Sequence, residues 1–303
     1  MPTAEKVNFQ GWPNCYRLSN KIVDLIVTTD VGPRVVWWGF SGGVNEFLEI
    51  PSEAGKTGGD EWRAYGGHRL WHAPEAKPRT YFPDNSPIKL KQRKGGFRVT
   101  QATETTTGIQ KEIDFEMDDD QARVKLTHRL INQGVWPVEL AVWALSVMAP
   151  GGVGVFPLPE RGPHTENLLP KNAMALWAYT NMSDPRWTWG EKYILMRQDS
   201  KAEKPQKIGL MNMEGWAAYV NHNNLFVKLF DADPEAVYPD FGCSVESFTN
   251  ADMLELETVG PFTLLEPGDA VEHVEFWCQF KGVPAPKNDD DVEKTILPKI
   301  ASL

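Results

Sequence analysis

The feature that most constrains this chain is an apolar alternation of period two, repeated along its length and cut by short polar turns. Val124, Leu126, His128 and Leu130 share one side of an extended segment, and Ile109, Ile113 and Phe115 share one side of the segment before it. Asp118-Asp119-Asp120 separates those two, and Asn132-Gln133-Gly134 separates the second from the apolar run Val138 to Met148. Successive strand residues point to opposite faces, so each such segment buries one face and turns back on its neighbour. The same pattern recurs at Ile22 to Thr28, Val35 to Phe40, Phe97 to Ala102, Ala173 to Tyr179, Ile194 to Arg197, Gly215 to Asn221 and Leu225 to Phe230. It returns at Val245 to Thr258 and Ala270 to Phe280, and only Asp289 to Leu297 reads as a helix, limited by Pro298. Neither a linker nor an internal repeat interrupts the 303 residues, of which 41% are apolar. The expectation is an all-β, sandwich-like fold in a single domain over residues 1–303.

Three irregular stretches stand out. Residues 41–60 read as a loop around one short strand, Glu46 to Ile50, and residues 73–87 carry four prolines and shape a rim. Residues 149–172, rich in Gly and Pro, form a long loop of the kind that usually binds something.

Formal net charge is −10, from 31 basic and 41 acidic residues. That balance argues against nucleic acid and against an anionic membrane surface as partners. The three cysteines, Cys15, Cys243 and Cys278, lack CxxC spacing and read as buried thiols rather than a disulfide framework or a zinc site. No signal-peptide pattern opens the chain and no run approaches the length of a membrane helix, so a cytoplasmic location is expected.

The densest collection of chemistry is Gly66-Gly67-His68-Arg69-Leu70-Trp71-His72-Ala73-Pro74-Glu75. The glycine pair and Pro74 exclude a helix, which leaves an extended segment or loop. Extended, His68 and His72 stand about 13 Å apart at ~3.3 Å per residue, too far to grip one metal ion easily. Arg69 also occupies the place where a helical zinc-protease signature requires Glu. The segment reads as a polar pocket with no metal and no cofactor.

A second cluster is Leu254-Glu255-Leu256-Glu257-Thr258. In a strand Glu255 and Glu257 share one face, opposite Leu254 and Leu256, and a carboxylate facing a pocket serves as a general base. A solvated face of alternating glutamates fits the same spacing. His128 shares its strand's apolar face, which suits either a hydrogen-bonded core histidine or a pocket histidine. Twelve tryptophans are many for this length, and Trp62, Trp71, Trp187 and Trp189 lie in polar surroundings where aromatic faces suit sugar rings.

Taken together these stretches resemble the galactose mutarotase superfamily, in its aldose 1-epimerase-like branch. Gly32-Pro33-Arg34-Val35-Val36 resembles the opening hairpin, Gly66-Gly67-His68 the glycine-rich segment with a pocket histidine, and Thr127-His128-Arg129-Leu130-Ile131-Asn132 the strand that ends in Asn. Leu256-Glu257-Thr258 resembles the Leu-Glu-Thr around the catalytic glutamate. The resemblance implies a large antiparallel β-supersandwich that binds sugars in an open groove and interconverts anomers by ring opening. A glutamate then takes the proton of the anomeric hydroxyl while a histidine protonates the ring oxygen. Carried over, Glu257 is the base, and His72 or His68 the acid facing it.

The sequence departs from the family at Trp143, which stands where the acid histidine belongs and can stack on a sugar but cannot protonate it. Arg69, Trp71, His128, Trp143 and Glu255 are the expected ligand-binding residues around Glu257. The partner expected is a small sugar or sugar derivative; Arg63, Arg69, Lys77 and Arg79 raise an anionic one. Two alternatives remain open: a sugar-binding protein without catalysis, or a lyase or glycoside hydrolase on the same sandwich.

Overall fold

The computed structural model describes residues 1–303. Two antiparallel sheets carry nearly all of its regular structure. The first runs Thr3–Phe9, Trp12–Ser19, Val23–Thr28, Arg34–Phe40, Gly67–Ala73, Val138–Met148, Leu254–Val259, Val245–Thr249, Gln206–Leu210, Met174–Leu176, with Thr263–Leu265 paired to one end of Val138–Met148. The second runs Trp187–Trp189, Tyr193–Arg197, Val153–Pro157, Trp216–Asn221, Asn224–Phe230, Ala270–Lys281, Arg123–Asn132, Ile109–Met117, Gly96–Thr100, Lys89–Arg93. One apolar cluster of 37 buried residues lies between them, including Leu25, Val35 and Leu70 from the first and Phe115, Val124 and Tyr219 from the second. The alternation in the sequence is therefore the alternation of faces toward and away from this core.

Some boundaries differ from the sequence reading. Val245 to Thr258 is two strands joined at Asn250, whose side chain accepts bonds from the backbone N–H groups of Asp252 and Met253 and so closes a turn. Glu46 to Ile50 makes only single bridges, Phe47 to Met148 and Glu49 to Gly66. The helix Asp289–Thr295 begins where Asn288 accepts from the Asp291 N–H, a side-chain cap.

The interface of the sheets is not wholly apolar. Lys228, fully buried, donates to the Ala144 carbonyl of the first sheet at 3.1 Å and to Glu275 of the second at 2.9 Å. Thr258 of the first sheet donates to Glu275, and the Trp277 indole donates to its other oxygen at 2.7 Å. His68 and His128 meet across the gap, Nε2 to Nε2, at 2.8 Å. Their protons can be placed by elimination. His128 Nδ1 lies 3.1 Å from the His273 carbonyl, which only accepts, so His128 Nε2 is bare and His68 Nε2–H donates to it. Ser146 then donates to His68 Nδ1 at 2.9 Å.

Burial first, and then the Lys228 charge, hold His68 well below the ordinary histidine value, and burial brings His273 down to about 4. For Glu275 burial opposes the charge, but Lys228 and the neighbouring histidines prevail and its carboxyl falls to about 2. Glu104 likewise falls to about 2, with burial outweighed by Lys111 and His72.

These directions set an acid limit. As pH falls from 6.5 the unfolded chain protonates histidines that the folded one keeps neutral, and stability declines. Over the same range Glu46, raised to about 7 by burial, and the raised Glu246 and Glu257 bind protons first in the folded state, which partly offsets that decline. Below 4.5 Glu104 and Glu275 protonate only in the unfolded chain, and nothing among the groups named opposes the loss until about pH 2. The melting temperature followed by circular dichroism is expected to change little from neutral pH to about 5 and to drop steeply below 4.5.

Candidate active site

Five adjacent strands of the first sheet present the site on the face turned away from the core. In Gly67–Ala73, Leu70 joins the inter-sheet core while Trp71 and Ala73 join a separate outer cluster with Ala141, Trp143, Leu145 and Val259. The pairing places Trp143 beside Trp71, Leu145 beside both Arg69 and Glu257, and Glu246 beside Glu257. Lys207 follows on the next strand, paired with Phe248. The glycine pair makes the entry to this strand possible. Gly66 and Gly67 have φ of +76° and +69°, and a Cβ on either would lie about 2 Å from a backbone oxygen, of Leu48 or of Val35.

Residues 51–88 fold over one side of this face. Arg34, wholly buried, ties them down by donating to the carbonyls of Ala64 and Gly66 and pairing with Asp84 at 3.1 Å. Asn85 donates to the carbonyls of Gly59 and Glu61 and accepts from Tyr65. Trp62 and Tyr81 thereby come to stand over Trp71, with ring centroids 5.7 Å and 5.0 Å away. The result is a cleft of about 300 Å³, lined by these three rings, Trp143, Tyr179 and Phe248 and by Arg69, Glu75, Lys207 and Glu255. That volume is at the lower end of small-ligand sites, which span roughly 300–1,000 Å³.

The cations in the cleft are paired. Arg69 donates to Glu255 at 2.8 Å and lies over the Trp71 ring, 4.4 Å from its centroid. Lys207 Nζ lies 2.7 Å from Glu246 and 3.3 Å from Glu257, between the rings of Trp143 and Trp177. Glu257 is buried beneath the floor, its Oε2 accepting from the Trp143 indole at 2.8 Å and its Oε1 without a partner. Burial raises the carboxyl of Glu257 above its ordinary value against the pull of Lys207, and raises that of Glu246 further. Burial alone would discharge Lys207, but Glu257 and Glu246 outweigh it and keep the ammonium charged.

The structure thus brings together Arg69, Trp71, Trp143, Glu255 and Glu257. It does not bring His68, His72 or His128 to them, which corrects the expectation that a histidine faces Glu257. His68 and His72 share the parity of Leu70, so both point into the gap between the sheets, away from the carboxylates. His72 accepts from Arg79 at Nδ1, 2.8 Å away, and its Nε2 lies 3.4 Å from Glu104, which pairs with Lys111. His128 is the hydrogen-bonded core histidine. His68, His128 and Glu275 have ligand atoms within 4.8 Å of one another, the donor types of a metal site. Each of those atoms already has a hydrogen-bond partner in the protein.

The expected cluster of cations for an anionic sugar also disperses. Arg63 donates to the Gly58 carbonyl, Arg79 to His72, and Lys77 lies over the Tyr81 ring. Lys207 and Glu246 escaped the sequence reading. Their signal was a charged residue in the middle of an otherwise buried alternating run, Gln206-Lys207-Ile208-Gly209-Leu210 and Val245-Glu246-Ser247-Phe248.

No family model matches this chain, and no curated protein matches it. Solved structures do. A galactose mutarotase-like protein from Lactobacillus casei superposes with a TM-score of 0.55 at 11% identity, over 88% of this chain and 100% of that one. A putative mutarotase from Salmonella typhimurium gives 0.54 at 14% identity, over 92% and 97%. A TPR-domain containing protein from Parabacteroides distasonis gives 0.59 at 14% identity over 90% of this chain, which spans about half of that protein's length, 48%. The class defined by these likenesses is one of fold: two large antiparallel sheets in the galactose mutarotase-like sandwich. No helix is long and apolar enough to cross a membrane.

Proposed function

We propose that the cleft binds a sugar and that this protein is a carbohydrate-active, aldose 1-epimerase-like enzyme. The observation that carries the reading is Glu257, a buried carboxylate with one unpartnered oxygen beneath a cleft walled by Trp62, Trp71 and Trp143. Indole faces cover the apolar faces of a pyranose, while the Arg69–Glu255 pair and Lys207 offer donors and acceptors for its hydroxyls. A carboxyl that burial raises above its ordinary value takes the anomeric proton, and ring opening follows when the ring oxygen is protonated. With Trp143 in the place of a histidine, the acid role falls to a donor lining the cleft, Tyr179 or Lys207.

Polarimetry of freshly dissolved aldoses tests the reading: a rate above buffer for at least one sugar supports it, and none across a broad panel counts against turnover. A second reading, binding without turnover, has its own support in the two bonds that hold Glu257 under the floor. Both require a sugar to bind, so a calorimetric binding signal with no polarimetric rate selects the second reading, and binding together with a rate selects the first. Under either, Trp71→Ala should weaken binding by about 2 kcal/mol, roughly thirtyfold in Kd, as expected for a central aromatic anchor. Quenching of tryptophan fluorescence on titration with sugar measures it, and an unchanged Kd would move the ligand elsewhere.

A further inference from the structure

We infer that the ligand of this cleft is a cationic sugar, one that carries an amino group, an inference that rests on the sugar reading above. It follows from a count of charges. The cations that line the cleft are Arg69 and Lys207, and the first is paired with Glu255 while the second lies between Glu246 and Glu257. Neither has a charge to spare for a phosphate or a uronate. Glu75 is then left over on the lining, bonded to the neutral Tyr81 hydroxyl. Lys77 lies over the Tyr81 ring, 5.2 Å from its centroid, and forms no ion pair with Glu75. With Arg69 matched by Glu255 and Lys207 by the carboxyls beneath the floor, Glu75 is the charge left over, and a ligand that enters meets a negative field.

The walls favour the same sign. Trp62, Trp71, Trp143, Tyr81, Tyr179 and Phe248 line the space, and the quadrupole of an aromatic ring attracts a cation to its face. The protein already uses them that way, with Arg69 over Trp71 and Trp62 and with Lys207 over Trp143 and Trp177. An ammonium group beside Glu75 completes both patterns, pairing the unmatched carboxylate and lying against an aromatic wall. A hexose does neither, and a uronate sets one carboxylate against another.

The test is calorimetric titration of the full chain with glucose, glucosamine and glucuronate and with the matching galactose series. It is run in low salt at about pH 6, where a sugar amine is protonated. The amino sugar of one series should bind about two- to fivefold more tightly than its hexose, the scale of one partly exposed ion pair, with the uronate weakest. The advantage should fall toward unity in about 0.5 M salt. It should fall likewise in Glu75→Gln, read as the ratio of the amino-sugar and hexose Kd values within that variant. A hexose or uronate that binds as tightly as its amino counterpart overturns the inference and leaves the sugar reading intact. If no member of either series binds, the sugar reading fails and the inference with it.

Discussion

Lys228→Met should destabilise the protein by about 3–5 kcal/mol, the usual cost of leaving a buried charge without its partner. Lys228 and Glu275 are both fully buried, and the ammonium also bonds the Ala144 carbonyl of the facing sheet. Methionine fills most of the lysine volume but offers no donor, so Glu275 keeps only Thr258 and the Trp277 indole. Its carboxyl then has to protonate or remain charged in a dry interior, and either costs free energy. Urea denaturation of the single variant and of Lys228→Met with Glu275→Leu checks the argument. The double variant should recover a large part of the loss, because two matched apolar groups strand no charge. A single variant within about 1 kcal/mol of the parent would mean that water or another group already serves Glu275.

Glu257→Gln should lower the accelerated rate of anomer interconversion by at least about a hundredfold, the lower range for loss of a general base. Glutamine is nearly isosteric and its carbonyl oxygen can still accept from the Trp143 indole, so the floor of the cleft keeps its shape. Lys207 retains Glu246 at 2.7 Å, which limits the structural cost of removing one of its two carboxylates. Sugar affinity should stay within about fivefold of the parent, since Glu257 lies under the lining rather than in it. A rate that survives assigns the base to Glu255, and loss of affinity together with rate makes Glu257 a residue that shapes the site.

Much of the fold could be read from the chain because strand faces are a local property. In Val124 to Leu130 and Ile109 to Phe115 the alternating apolar residues are ones the structure buries in the core, while Glu112 and Thr127 between them are buried on the other face. The carboxylates were legible for the same reason, with Leu254 and Leu256 marking the core side and Glu255 and Glu257 the other. The same rule, applied to Leu70, puts His68 and His72 on the core side and Arg69 and Trp71 on the cleft side. That parity is present in the sequence, and it outweighs the resemblance at Gly66-Gly67-His68. Lys207 and Glu246 are different. Their meeting with Glu257 depends on which strands become neighbours, and Gln206–Leu210 reaches Leu254–Val259 only through Val245–Thr249. Pairing between segments some 50 residues apart is decided by packing of the whole sheet, which no local pattern encodes.

The polar contacts between the sheets also decide how the two halves of the sandwich are aligned. Two faces of Val, Leu and Phe alone would tolerate one sheet sliding along the other by a residue pair, since methyl groups fit many neighbours almost equally well. Here His68 has to reach His128, and Lys228 has to reach both Glu275 and the Ala144 carbonyl. Every slipped alignment strands at least one of these groups unbonded in a dry interior, at a cost of about 1–3 kcal/mol each and more for the charges. The floor of the cleft is the back of the same sheet, so this lock also fixes where Glu257 sits under Trp143.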